Sequence, residues 1–198
     1  AQMRVDPTYF GVEVDRWQVA VVTSPGRANL PWQKIKLEVA NVPAYTRELM
    51  SPARNYKVLP EGYEDILIPT ETLEEVMADK VVSLAACTTY PRYRDIWDLR
   101  WLKQHGARIN PDFIAKKVAD YRIADYEDRL QARIEDVEST ILNAYFSHEM
   151  RRFISQDAKS RTFDRAGCVE FLAREVRSLL SKARDKVYGL EPEEEFVM

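Results

Sequence analysis

Two predicted helices carry charged residues where their periodicity predicts apolar ones. Lys80 lies near the centre of the apolar stripe of a helix that begins at Leu73. A lysine there must snorkel to water, pair with a carboxylate or reach into a cleft. Asp95 and Asp98, three residues apart, share a face of the next helix among tryptophans and leucines. Two acids in such surroundings need a cation, and the candidates are Lys80, Arg94 and a divalent metal.

The same residues also have a plain structural interpretation. An ion pair from Lys80 to Asp95 or Asp98 would tie two helices together without any catalytic role. Glu38 shares a face of a predicted strand with Lys34 and Lys36, and two lysines can neutralise it on a solvated sheet face. The residue types and spacing alone leave a functional site and a structural ion network both open.

The elements that must position these residues divide into strands followed by helices. Residues 12–15, 17–24, 33–40 and 64–70 have strand patterns, and a turn-rich joint makes the two long ones antiparallel neighbours. Thr72 and Glu75 form a capping box that starts the first helix. Helices are predicted near 73–87, 93–105, 111–122, 125–155 and 167–187. The sequence therefore predicts an α+β chain, with a sheet region at 1–70 and a helical region at 71–198.

The two longest predicted helices each carry an apolar stripe that is expected to form the core. In the fourth helix the stripe comprises Leu130, Ile134, Val137, Ile141 and Tyr145. In the last helix it comprises Val169, Leu172, Val176, Leu179, Leu180 and Ala183. Because both stripes follow helical spacing, these two helices are expected to pack on each other.

Composition excludes several classes of protein. The 198 residues carry a net charge of −3, so any RNA contact must rest on a local basic patch. The basic stretch from Arg151 to Arg165 is a candidate for that patch, and the alternative is that this stretch is simply a solvated surface. Cys87 and Cys168 are expected to be free, buried thiols. No apolar run approaches the roughly 18 residues of a membrane span, and no signal peptide begins the chain, so a cytoplasmic protein is expected.

Three fragments in order carry a resemblance to a known family: KLEV at 36–39, EEVMADKVVSLA at 74–85 and RDIWDL at 94–99. They resemble the motifs of AbiEii/AbiGii-type nucleotidyltransferase toxins, relatives of the MenT toxins. In that family K-x-E/D on a strand precedes E-E-x-x-A-x-K-x-x-A-L on a helix, and R-D-x-x-D-L follows. Ser83 replaces the alanine of the second motif and leaves the register of Lys80 unchanged.

The resemblance implies a partial polymerase-β-like nucleotidyltransferase sheet followed by a helical C-terminal region. It implies Mg²⁺-dependent transfer of a nucleoside monophosphate from an NTP to an RNA acceptor, the tRNA 3′ end in MenT relatives. It makes Lys80 the lysine that grips the triphosphate, Asp98 and Asp95 the acids of the last motif, and Glu38 the third carboxylate and metal ligand. Lys36 and Arg94 become candidate substrate-binding residues, and a cognate antitoxin becomes the expected partner.

One motif of the family has no match. The G-G/S-T/S turn followed by D-x-D is missing, and Glu13-Val14-Asp15 follows no suitable turn. We therefore expect that the chain begins after this motif and, taken by itself, is incomplete and inactive. The alternative is a non-enzymatic helical module that binds a protein or RNA.

Overall fold

The computed structural model describes residues 2–5, 12–22, 24–27, 32–54 and 57–189, and for 2–5 it describes the backbone. The chain forms two compact units. The first comprises Ala1–Pro43 with Asp120–Arg122, and the second comprises 44–119 with 123–198. The change from strands to helices that follows Thr70 lies inside the second unit.

The first unit contains an antiparallel sheet in the order β1-β2-β3. Its strands are β1 (Gln2–Val5), β2 (Glu13–Val21) and β3 (Gln33–Ala40). The predicted antiparallel pairing of β2 and β3 is confirmed, with Arg16 opposite Glu38. The two strand segments predicted before residue 24 are one continuous strand, and its Val14 is fully buried.

A second, two-stranded antiparallel ribbon precedes the helices. It pairs β4 (Glu48–Met50) with β5 (Ile68–Thr70). The strand predicted over 64–70 is shorter than expected, because a 3₁₀ turn occupies Tyr63–Asp65. Pro69 within β5 has no N–H to donate. This is tolerated because β5 pairs with one neighbouring strand in a two-stranded ribbon.

The second unit is mainly helical. Its helices are α1 (Leu73–Ala86), α2 (Tyr93–Gln104), α3 (Pro111–Asp120), α4 (Tyr126–Leu142), α5 (Ala144–Phe153), α6 (Gln156–Arg161) and α7 (Cys168–Tyr188). The observed elements confirm the predicted α+β class. In the described residues no helix is both long and apolar enough to cross a membrane.

The prediction of one long helix over 125–155 is wrong. Asn143 leaves the helical conformation with φ −68° and ψ 136°, and its side-chain oxygen accepts a hydrogen bond from the Tyr145 N–H. Asparagine favours such caps because its side chain replaces a lost backbone partner. The break shifts the helical phase, so Tyr145 is 72% exposed instead of buried, and Phe146 is fully buried in its place.

The remaining core prediction is confirmed. Leu130, Ile134, Val137 and Ile141 of α4 are buried, and α4 packs along α7. All the predicted stripe residues of α7 are buried except Val169, which is half-buried. Both cysteines are free thiols, as predicted, although Cys168 is only half-buried.

Two arginines of α4 hold the C-terminal end of α1. Arg129 Nη1 donates to the Ala86 carbonyl at 2.9 Å. Arg133 donates from Nε to the Leu84 carbonyl and from Nη2 to the Cys87 carbonyl, both at 3.0 Å. Cations at a helix C-terminus satisfy its free carbonyls and complement its dipole. These contacts fix α1, the helix that carries Lys80, on the core.

Candidate functional site

Lys80 lies between both aspartates of α2 and is, of the candidate cations that the sequence left open, one that meets them. Its Nζ is 2.9 Å from Asp95 Oδ1 and 2.8 Å from Asp98 Oδ2. Burial by itself lowers the pKa of Lys80, but the two carboxylates outweigh burial and raise that pKa above its ordinary value. Lys80 therefore stays cationic at neutral pH, which suits an anion-binding group and not a general base.

Asp95 is the buried member of the pair. Its Oδ2 accepts hydrogen bonds from Arg92 Nε and, at 2.9 Å, from Ser83 Oγ. Burial raises the pKa of Asp95, but the hydrogen bond from Arg92 and the charge of Lys80 lower it below its ordinary value. Asp95 is thus an ionised carboxylate whose two oxygens are already engaged by this chain.

The site is open to solvent. The Lys80 side chain is 27% exposed, and the Asp98 side chain is 40% exposed. An ammonium group has three N–H donors, and two of them face the aspartates, so a third can face a ligand. The ion pairs agree with the interpretation of Lys80 as a structural residue. The exposure of the Lys80 side chain also agrees with a functional site, because an anion can reach the ammonium group.

Glu38 belongs to the sheet unit and has its own cations. Its Oε1 lies 2.6 Å from Arg16 Nε and 2.7 Å from Lys36 Nζ. The hydrogen bond from Lys36 is the largest influence, and it lowers the pKa of Glu38 despite partial burial. The structural interpretation expected an ion network with Lys34 and Lys36, and the structure shows one in which Arg16 of β2 takes the place of Lys34. Roles for Glu38 in metal binding and for Lys36 in substrate binding stay predictions.

Arg94 of α2 takes a position that its motif alone did not reveal. Its side chain is exposed, and the guanidinium carbon lies 3.6 Å from the centre of the Phe153 ring. At this distance the planar cation stacks on the ring. Phe153 is the last residue of α5 and is 50% exposed.

The basic stretch is largely neutralised by its own neighbours. Arg151 pairs with Asp164, Arg152 with Glu149, and Arg161 with Asp157. These pairs are all exposed to solvent, which agrees with the interpretation of the stretch as a solvated surface.

Sequence reasoning missed a second lysine-centred network. Lys117 of α3 is 1% exposed, and its Nζ lies 2.8 Å from Glu75, 3.1 Å from Asp79 and 3.2 Å from Glu71. Glu75 is fully buried and also accepts hydrogen bonds from the backbone N–H groups of Tyr45 and Thr46. The three acids are spaced four residues apart, and this spacing was the available signal.

The acids of this network respond differently to their surroundings. Burial raises the pKa of Glu75, but hydrogen bonds from Lys117 and Thr46 outweigh it and lower the pKa to about 2. Burial and the charge of Asp79 raise the pKa of Glu71 to about 7.

The capping box predicted at Thr72 is half formed. Thr72 Oγ1 accepts a hydrogen bond from the Glu75 N–H, but the Glu75 carboxylate accepts from the backbone at 45–46 and not from the Thr72 N–H.

The described carboxylates do not make a magnesium site by themselves. Within the described ranges, no group of three or more His, Cys, Asp or Glu side chains is placed to hold a metal ion. Both Asp95 oxygens face cations, and Glu38 faces two. Glu13 and Asp15 line a depression of about 330 Å³ on the sheet, and they are the two acids among the described residues that line it. Magnesium accordingly stays a prediction from the family resemblance.

Comparison with known proteins gives one match. The model of the family described as nucleotidyl transferase AbiEii toxin, type IV toxin–antitoxin system, matches residues 4–168. No curated protein and no solved structure matches the chain closely enough to infer relatedness. The family match covers most of both units and includes all three sequence motifs, with Lys80, Asp95 and Asp98 among its residues. The chain therefore belongs to the AbiEii nucleotidyltransferase toxin family of type IV toxin–antitoxin systems.

Proposed function

We propose that this protein is a cytoplasmic nucleotidyltransferase toxin that transfers a nucleoside monophosphate from an NTP to the 3′ end of an RNA acceptor. The family resemblance indicates tRNA as that acceptor. The observation that carries the proposal is the Lys80 ammonium, held between Asp95 and Asp98 yet open to solvent. Family membership supplies the reaction class and implies a cognate antitoxin as partner.

Lys80 has the properties of a triphosphate-binding group. Its raised pKa keeps it protonated, and the aspartates fix its ammonium before a ligand arrives. A cation placed in advance stabilises charge that develops on the phosphates without reorganising in the transition state. The acceptor hydroxyl oxygen bonds to the α-phosphorus as the bond from that phosphorus to the bridging oxygen of the β-phosphate breaks. The hydroxyl proton passes to water, and pyrophosphate leaves with the negative charge that Lys80 meets.

The two aspartates have separate roles in this proposal. Asp95 is 5% exposed, and hydrogen bonds from Arg92 and Ser83 hold its carboxylate in place. Asp95 in turn orients the Lys80 ammonium from the buried side of the site. Asp98 is 40% exposed and lies at the solvent side of the lysine, where it can approach a bound substrate. Lys80 and Arg92 balance the charges of these two acids, so the site has no excess negative charge of its own to repel an NTP.

The test is label transfer by the full-length protein. Protein, tRNA, magnesium and each α-³²P-labelled NTP are incubated together, and labelled RNA is measured. We expect transfer with the wild type and at least about a hundredfold loss in Lys80→Met, the scale typical of losing a positioned charge-stabilising group. Lys103→Met is the matched control, because Lys103 also pairs with a carboxylate, Glu175, but lies outside the site.

Expression in cells gives the second measurement. We expect the wild type to arrest growth, Lys80→Met to relieve the arrest, and Lys103→Met to behave as the wild type. If no NTP yields labelled RNA and expression does not slow growth, the enzyme proposal is wrong. RNA binding that persists under those conditions would favour the non-enzymatic binding module.

A further inference from the structure

We propose that Arg94 and Phe153 form a stacking platform for an unpaired nucleotide of the RNA acceptor. The inference rests on the function proposed above, because it assigns the place where the acceptor strand lies beside Lys80. Single-stranded nucleic acid binds to proteins through aromatic rings and arginine planes, with cations nearby to meet the phosphates.

The Arg94 guanidinium lies over the Phe153 ring at an exposed position. The ring centre is 3.6 Å from the guanidinium carbon, so the ring covers one side of the cation. Both side chains are exposed to solvent, Phe153 by 50%. Across the part of the chain that the structure describes, no hydrogen bond or ion pair engages the Arg94 guanidinium. A nucleobase can therefore stack on a plane that the phenyl ring already holds in place.

The position of the pair links it to the candidate site. Arg94 and Asp98 are four residues apart in α2, so they share a face and lie about 6 Å apart along the helix axis. Asp98 in turn contacts Lys80 at 2.8 Å. A nucleotide stacked on Arg94 would place the adjoining part of its strand one helical turn from the lysine.

The charge pattern favours RNA as the occupant. The arginines at 151, 152 and 161 form ion pairs with neighbouring carboxylates. Arg94 contacts the Phe153 ring instead, so its positive charge can attract a phosphate. Exposed Tyr145 offers a second aromatic ring on α5, the helix that ends with Phe153. The guanidinium plane can stack on one base, and its charge can meet one phosphate. Such stacking tolerates any base, because every base has a π face.

The experiment measures binding of two fluorescent RNAs by anisotropy. One is a hairpin stem with a single-stranded 3′ overhang, and the other is the same stem with a blunt end. The variants Arg94→Lys and Phe153→Leu keep charge and apolar character but remove the stacked planes. Arg100→Lys and Phe171→Leu are matched controls. Arg100 is also on α2, and its guanidinium carbon lies 5.3 Å from the centre of the Phe171 ring of α7.

We expect each platform variant to bind the overhang RNA about tenfold more weakly, the size typical of losing one stacked base. Binding of the blunt RNA should stay within about twofold of the wild type, as should binding of both RNAs by the control variants. Thermal unfolding midpoints accompany each measurement, and Arg94→Lys decides the result if Phe153→Leu fails to fold.

Several outcomes would overturn the platform. Wild-type affinity in Arg94→Lys would mean that charge alone is used, and equal losses for both RNAs would mean a general electrostatic effect. Loss of antitoxin binding with unchanged RNA affinity would make the surface a protein interface. RNA binding that no platform variant weakens would remove this inference and leave the proposed enzyme intact. A wild type that binds neither RNA would overturn the platform and the RNA acceptor together, while label transfer tests the enzyme separately.

Discussion

Two lysine-centred ion networks involve α1, and their lysines differ in access to water. Lys80 meets Asp95 and Asp98 with 27% of its side chain exposed. Lys117 meets three acids with 1% exposed. A fully buried charge must be matched by the protein itself, so its network serves the fold. A partly exposed charge held in place by acids can still meet a ligand, and this difference supports the role proposed for Lys80 and a structural role for Lys117.

Removal of the buried Lys117 cation is expected to have the largest effect on stability. Lys117→Met leaves Glu75 and its neighbouring acids without their shared partner, so we expect a loss of about 3–5 kcal/mol in the free energy of unfolding. Urea denaturation measures it. The adjacent exposed Lys116→Met is the control, expected to change stability by less than about 1 kcal/mol, the size of an exposed cation–π contact such as the one it makes with the Tyr45 ring. A loss of under about 1 kcal/mol in Lys117→Met would show that the buried network does not stabilise the fold.

Glu75→Gln tests the acid side of that network. Glu75 pairs with Lys117 and accepts hydrogen bonds from both backbone N–H groups at 45–46, with the Thr46 bond at 2.7 Å. We expect a loss of about 2–3 kcal/mol, since a neutral amide weakens every one of these contacts. Glu74→Gln, at a half-buried position on the same turn of α1, serves as the reference in the same denaturation series. Equal stabilities of the two variants would contradict the anchoring role of Glu75.

Lys80→Met should affect stability less than either change at the buried network. Asp95 keeps Arg92 and Ser83 as partners, and Asp98 is 40% exposed to water. We expect a loss of no more than about 1–2 kcal/mol in urea denaturation, together with the loss of label transfer. A collapse as large as that of Lys117→Met would make Lys80 a structural residue and remove the contrast between the two lysines.

The smallest expected effect is a change in pH dependence at Glu71. Its pKa rises from 4.5 to about 7 in the folded protein, because burial and Asp79 disfavour its charge. A folded-state pKa above the unfolded value means that the folded protein binds the proton more tightly. The contribution of Glu71 to stability is therefore present below 4.5 and is lost as pH rises towards 7.

Glu71→Gln should remove this decline. We expect the variant to gain roughly 1 kcal/mol relative to the wild type between about pH 5 and pH 8, after allowance for screening by solvent. Urea denaturation at several pH values measures the difference. A stability gap that stays constant with pH, or one that favours the wild type more at high pH, would contradict the raised pKa of Glu71.

Much of the fold followed from local pattern. The strand alternation at 33–40, the cap at Thr72 and the stripe of α4 each depend on neighbours in sequence. The pairing of Lys80 with α2 also followed, because helical spacing alone placed its charge and those of the aspartates on apolar faces. Local pattern failed at Asn143, where one side-chain hydrogen bond ended a helix whose apolar spacing continued.

The sequence by itself determined the element types, the core stripes and the misfit charges that mark the candidate site. Only the tertiary structure decided that Lys117 is buried, that Arg94 lies on Phe153 and that Lys80 stays open to water. Lys117 and Glu71 are 46 residues apart, and no period of a helix or strand links such positions. Side-chain periodicity reports which face a residue occupies, whereas burial of a charge depends on which distant groups meet that face.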